Sequence, residues 1–140
     1  MDVNRIKRYK DKANIILKRG DQIKMWALDI PSDQFLSDDK AKLASYKAFQ
    51  EMIEAAMDIV AMMCRDSGIV PKDDYLNVEN LELEPQIREA LLEANGLRNR
   101  LVHRYNRTDD RIALESTRAL LPEMESFAKE AEAWVLKRSS

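Results

Sequence analysis

Three glycines, four prolines, one cysteine and one histidine in 140 residues set narrow limits on what this chain can be. With so few turn formers, and with Ala, Leu, Glu, Lys, Arg and Met abundant, there is little material for hairpins and sheets, so the composition points to an all-helical protein. The lone Cys64 cannot close an internal disulfide, and it follows the apolar run Met57 to Met63, where a free thiol behaves as a small buried hydrophobe. One His and one Cys are too few for a zinc site, which normally draws several such ligands. The acids Glu82, Glu84, Glu89 and Glu93 read as a solvated face rather than a magnesium site. Walker and dinucleotide glycine motifs are absent, and no local signature suggests Ser-His-Asp or Cys-His catalysis. No stretch approaches the ~20 apolar residues that span a bilayer. The opening Met1-Asp2-Val3-Asn4-Arg5 leads into two dozen residues that are charged throughout, without the apolar centre of a signal peptide. These absences predict a cytoplasmic chain with no membrane partner, no metal and no cofactor.

Strong positive charge is also missing. A net charge of -2 and a pI near 5.5 argue against a protein that coats nucleic acid, while leaving room for local contact with RNA. The length fits a single domain over residues 1–140.

What is present is helical periodicity. Tyr46, Phe49, Ile53, Ala56, Val60 and Met63 step by three and four, which predicts one long buried stripe from about residue 37 to 66, ended by Gly68 and Pro71. Val3, Ile6, Tyr9, Ala13 and Ile16 predict an earlier helix that stops at Gly20, followed by a less regular segment, Ile23 to Ile30, closed by Pro31. Residues 71 to 80 read as a loop. A third helix is expected from about residue 83 to 95, with Ile87, Leu91 and Ala94 inward. The last begins at an Asp109 or Asp110 cap and carries Leu120, Met124, Phe127, Ala131 and Trp134 inward. Pro122 falls inside this stripe and should either kink the helix or mark its true start. The expected architecture is an up-and-down bundle of four to five helices.

The most specific signal is Arg98-Asn99-Arg100-Leu101-Val102-His103-Arg104-Tyr105, where the only histidine sits in the densest arginine cluster. From Ala94 to Thr108 there are four arginines, Arg98, Arg100, Arg104 and Arg107, and no acid. With 12 Arg and 4 Tyr in the chain, a shuffle would place Arg five before and Tyr two after the single His in roughly 1 of 400 sequences. His can both take and give a proton near neutral pH, and Arg is the natural bidentate partner of a phosphate oxygen. The pattern therefore reads as phosphate chemistry, with Arg98 and His103 as candidate catalytic residues, Asn99 supporting them, and Arg100, Arg104 and Arg107 as weaker RNA contacts. The plainer alternative is a surface arginine run beside a His satisfied in the core. On a regular helix Asn99 and His103 share a face, whereas Arg98 and His103 lie about 140° apart. Two copies of the motif facing each other across a twofold axis would bring Arg and His to one phosphate, so a homodimer is expected.

The pattern Arg98-Asn99-x-x-x-His103-x-Tyr105 in a short helical chain resembles the HepT-like toxins of the HEPN superfamily. The long helix around Met52-Ile53-Glu54-Ala55-Ala56-Met57-Asp58-Ile59 and the run Gly96 to His103 are similar to that family as well, so the likeness covers most of the chain. The resemblance implies a HEPN-like bundle and a metal-independent endoribonuclease that dimerises to form its site. It also implies the toxin role in a toxin-antitoxin system of type II/VII-like organisation. The cognate antitoxin would have a nucleotidyltransferase fold and could silence the toxin by transferring AMP to the motif tyrosine, here Tyr105. Read without the resemblance, Tyr105 is equally a half-buried aromatic whose hydroxyl satisfies a neighbour. In the joined reading, His103 moves the proton of a ribose 2'-OH or of the leaving 5'-oxygen, Arg98 stabilises the phosphorane, and the product carries a 2',3'-cyclic phosphate. The rival reading is a non-catalytic HEPN interaction module that binds nucleotide or regulates a partner nucleotidyltransferase, since fold and motif can outlive activity. An RNA-binding bundle without cleavage is a third, which the acidic net charge disfavours.

Overall fold

A computed structural model describes residues 1–103 and 109–139. Among the described residues the chain is helical throughout: α1 (Val3–Ile23), a π-helical turn (Lys24–Leu28), α2 (Ser32–Leu36), α3 (Asp39–Asp66), α4 (Asp74–Glu79), α5 (Pro85–His103) and α6 (Asp110–Ser139). The expectation of four to five helices is therefore corrected to six, the added ones being the short α2 and α4. The four long helices are those the periodicity marks out.

α1 starts where Asp2 accepts a hydrogen bond from the Asn4 amide at 2.9 Å, and it buries Tyr9, Ala13, Ile16, Gly20 and Ile23. It does not stop at Gly20. Glycine ends a helix by taking positive φ, and only Gly68 does so here. Gly20 stays helical and buried, its ~1 kcal/mol propensity penalty outweighed by the packing of the stripe. The ladder instead loosens after Ile23 into the π turn, closed by the Asp29 amide donating to the Lys24 carbonyl at 2.8 Å.

α3 is capped by Asp38, whose carboxylate accepts from the Ala41 amide at 3.0 Å. Tyr46 borders its inner face, while Phe49, Ile53, Ala56, Val60 and Met63 are buried on it. Its end is a Schellman cap: Gly68, at φ 81°, donates to the Arg65 carbonyl and Ile69 donates to that of Cys64. The predicted stop at Gly68 is thus met in detail.

Contacts between helices fix the directions. Lys12 pairs with Asp58 and Arg19 with Glu51, so α1 and α3 run antiparallel. Tyr9 packs on Trp134 and Lys24 pairs with Glu125, so α6 is antiparallel to α1. α5 packs between α3 and α6 and closes the square. Phe49, Met52, Leu91, Leu97, Leu114 and Phe127 meet in the core.

Pro122 lies within α6, not at its start. It is on the exposed side, where water serves the carbonyl that its missing N–H leaves free. The predicted Asp109/Asp110 cap is present, Asp109 accepting from the Ile112 amide at 3.2 Å. No helix among the described residues is long and apolar enough to cross a membrane.

Candidate nuclease site on α5

The third helix was expected to end near Asn95, but α5 continues to His103. The reason lies in the stripe: Ile87, Ala90, Leu91 and Ala94 are continued by Leu97 and Leu101, both buried, so the apolar face carries the helix past Gly96. The first half of the motif is therefore presented by the last turns of a packed helix. Arg100 and His103 fall in its final turn, where the negative end of the helix dipole favours cationic side chains.

Arg98 is not free on the surface. Its side chain is 16% exposed, and its Nη2 donates to Asn95 Oδ1 at 2.6 Å and to Asp74 Oδ2 at 3.2 Å. Its Nη1 lies 3.9 Å from Glu54 Oε1. α3, α4 and α5 thus each contribute one oxygen to a cage around the guanidinium, while the buried Nε has no hydrogen-bond partner among the described residues. Asn99 is half-buried, and its amide donates to the Tyr75 hydroxyl at 3.5 Å, the outer limit of such a bond. Arg100 and His103 are exposed. Exposure removes the reading of His103 as a core-satisfied histidine.

The structure brings Arg98 and Asn99 up against α4, and leaves His103 facing solvent. None of the described bonds of Arg98 runs to His103, as expected for residues far apart around one helix. Arg104, Tyr105 and Arg107 lie outside the described residues. Just beyond them, Asp110 at the start of α6 is held by α3: Lys42 Nζ donates to its Oδ2 at 3.0 Å and the Tyr46 hydroxyl donates to its Oδ1. Burial, then the neighbouring Asp110 carboxylate, push the Tyr46 phenol well up from its ordinary range, so it stays a hydrogen-bond donor.

Sequence reasoning missed Glu54, Asp74 and Tyr75 as neighbours of the motif. Residues 71–80 were read as loop, yet Asp73 caps α4 by accepting from the Leu76 amide at 2.9 Å. Asn77 bonds the Lys72 backbone on both sides. An Asp three residues before an apolar Leu was a signal that could have been read as a helix start.

The remaining candidates resolve simply. Cys64 is fully buried and its thiol donates to the Asn77 carbonyl at 3.4 Å. Burial pushes its pKa up, so it is a packed hydrophobe as read. Glu82, Glu84, Glu89 and Glu93 are exposed. Among the described residues no group of three or more His, Cys, Asp or Glu side chains is arranged to hold a metal ion.

Comparison with known proteins places this geometry in context. Two proteins of Archaeoglobus fulgidus described as candidate RNases are 43% and 36% identical to the chain, over 57% and 59% of it. The match spans 64% and 65% of their own lengths, a little under two thirds. Among solved structures, a toxin-antitoxin crystal structure with AMP-PNP superposes with a TM-score of 0.80 at 20% identity, covering 94% of this chain and 99% of that one. A tri-AMPylated Shewanella oneidensis HEPN toxin, determined in complex with MNT antitoxin, gives 0.81 at 21% identity and covers 95% and 99%. These two establish the likeness of fold. The model of the HepT-like ribonuclease family matches residues 16–131, which take in all of α3, α4 and α5, and the chain belongs to that family.

Proposed function

We propose that this chain is the toxin of a toxin-antitoxin pair and a metal-independent endoribonuclease, working as a single domain over residues 1–140. The observation that carries the reading is the presentation of Arg98, Asn99 and His103 by one packed helix of a HepT-like fold, with His103 open to solvent and Arg98 fixed by oxygens from three helices. In the reaction, a ribose 2'-oxygen attacks the adjacent phosphorus and the P–O5' bond breaks. His103 takes the 2'-OH proton or delivers one to the departing 5'-oxygen. Arg98 stabilises the charge that builds on the phosphorane oxygens. Its fork is held in place beforehand, because Asn95 and Asp74 both accept from Nη2. Asn99 orients the phosphate or the imidazole, and Arg100, with Arg104 and Arg107, draws the RNA backbone in. The product is a 2',3'-cyclic phosphate and a 5'-hydroxyl.

Two further parts of the reading concern partners. The active unit is a homodimer, because Arg98 and His103 point away from each other on one helix and reach a common phosphate only from two copies. The antitoxin has a nucleotidyltransferase fold and silences the chain through AMP on Tyr105. The solved neighbour that is AMPylated and held by MNT antitoxin supports this.

The test is cleavage of total RNA in excess EDTA by the parent and by His103→Ala, with the new termini mapped. The expected result is cutting by the parent to cyclic-phosphate ends and a loss of about 10² to 10⁴ in rate in the variant. Equal cutting by both refutes the role of His103. If neither cuts, and mass spectrometry shows no AMP already on Tyr105, the protein is a non-catalytic interaction module.

A further inference from the structure

α4 brings an aromatic ring to the site that the motif does not contain. Tyr75 is 43% exposed, and its hydroxyl reaches the Asn99 amide. The same hydroxyl and Arg100 Nη1 each lie 3.8 Å from the point a Cβ would occupy on Gly96. Tyr75, Asn99 and Arg100 therefore converge above a residue with no side chain of its own, and the missing side chain leaves that corner open. Among the described residues the aromatic and cation–π contacts join Tyr9 with Trp134, Arg5 with Tyr9, and Arg138 with Trp134, so Tyr75 is not engaged in one. A partly exposed tyrosine ring beside a guanidinium and an amide is a combination by which proteins hold single-stranded RNA, the ring stacking on a base while the donors hold the phosphate. The hydroxyl meets Asn99 at the outer limit of a hydrogen bond, and the backbone that carries the ring belongs to α4, which Asp73 caps at the Leu76 amide.

We propose that Tyr75 is a substrate-positioning residue whose ring stacks on an unpaired base next to the phosphate held at Asn99 and Arg100. The inference rests on the ribonuclease reading and narrows its substrate to single-stranded RNA. It gives a use to α4, a helix of only six residues that pairs with α5 through Asp74 and Arg98. The hydroxyl contributes through Asn99 and the ring through the base, and the ring is the larger part.

The experiment measures affinity for a short fluorescent RNA spanning a cleavage site mapped with the parent, and for a set of the same RNA with one base at a time removed. The proteins are His103→Ala, which leaves the RNA intact, and the same variant with Tyr75→Ala or Tyr75→Phe added, each checked for parental helicity by circular dichroism. Stacking predicts that removing one particular base weakens binding to His103→Ala by about 5- to 150-fold, the range for one stacked base. It predicts that Tyr75→Ala weakens binding to the intact RNA similarly and makes removal of that base cost nothing more. Tyr75→Phe should bind within about twofold of His103→Ala. If every base removal costs the same with and without the Tyr75 ring, or if Tyr75→Phe is as weak as Tyr75→Ala, the stacking role is wrong while the nuclease reading stands. If the parent neither cuts nor binds RNA, both fall together.

Discussion

Arg98 is the residue whose surroundings say most about its use. An arginine kept only for surface charge would spread into water. This one is 16% exposed and tied to Asn95 and Asp74, and holding it there costs side-chain entropy that a solvated arginine keeps. The arrangement fixes a planar fork, with Nη2 tied to both of these oxygens and Nη1 3.9 Å from Glu54, and a fork held in place beforehand is what the proposed stabilisation of a phosphorane calls for. Lysine cannot reproduce it, because an ammonium is a point charge that does not bridge two oxygens in a fixed plane. Arg98→Lys should therefore keep its charge and its fold yet lose about 10² to 10³ in kcat, close to the loss in Arg98→Ala. RNA cleavage rates at saturating substrate decide this. A lysine variant near parental kcat would mean that charge alone suffices and that the cage has no part in catalysis. The motif marked Arg98 as a candidate directly. Its cage was not legible, because Asp74 sits 24 positions away and Glu54 44 positions away, and no local pattern links residues at such separations.

The elements are held in register by polar clasps at their ends as well as by the core. At the free end of the bundle Asp66, on the last turn of α3, accepts from the Tyr9 hydroxyl at 2.6 Å and from Arg5 Nε at 3.0 Å, tying α1 to α3. Burial alone would raise the Asp66 pKa. The bonds from Tyr9 and Arg5 outweigh it and hold the carboxyl below its ordinary value of 3.8. A carboxyl whose folded pKa is depressed stabilises the fold above its unfolded pKa, and that contribution is lost as pH falls through the folded value. Asp66→Asn should accordingly lower stability by about 1 to 3 kcal/mol at pH 7, and the gap to the parent should close below pH 4. Thermal melts of both proteins from pH 7 to pH 2.5 measure it, and a gap that stays constant across that range would show that the charge on Asp66 is not what matters. The sequence revealed the stripes of the long helices because hydrophobic spacing is a local property. It misled at Gly20 and at Asn95, the expected end of the third helix just before Gly96, since glycine ends a helix only when tertiary packing lets it turn left-handed. Gly68 does so with Ile69 folding back on Cys64. Gly20 and Gly96 lie on stripes that continue, so packing of the following residues decides, and a single sequence does not display that packing.

For the whole molecule, the proposed chemistry asks for two copies of the chain. Arg98 faces α3 and α4 while His103 faces solvent from the same helix, and in the proposed reading a second copy supplies the partner that brings both to one phosphate. Leu43 on α3 and Val102 on α5 are 54% and 42% exposed, and a groove of about 180 Å³ lined by Leu43, Tyr46, Lys47, Gln50 and Leu101 runs between these helices. A second copy seated there would bury apolar surface beside the motif and place its own α5 across the first, in an interface that is the same patch on both sides. The composite site is the central claim of this account, and subunit mixing tests it most directly. Arg98→Ala and His103→Ala are each inactive in this account, yet a dimer containing one of each has one intact Arg98 and His103 pair across the interface. Co-folding equal amounts and assaying RNA cleavage in excess EDTA should restore about a quarter of parental activity, since half of the randomly formed dimers are mixed and each has one of two sites intact. Mixed dimers that form but stay as inactive as either variant alone would contradict the account, and would place Arg98 and His103 of the same chain in one site.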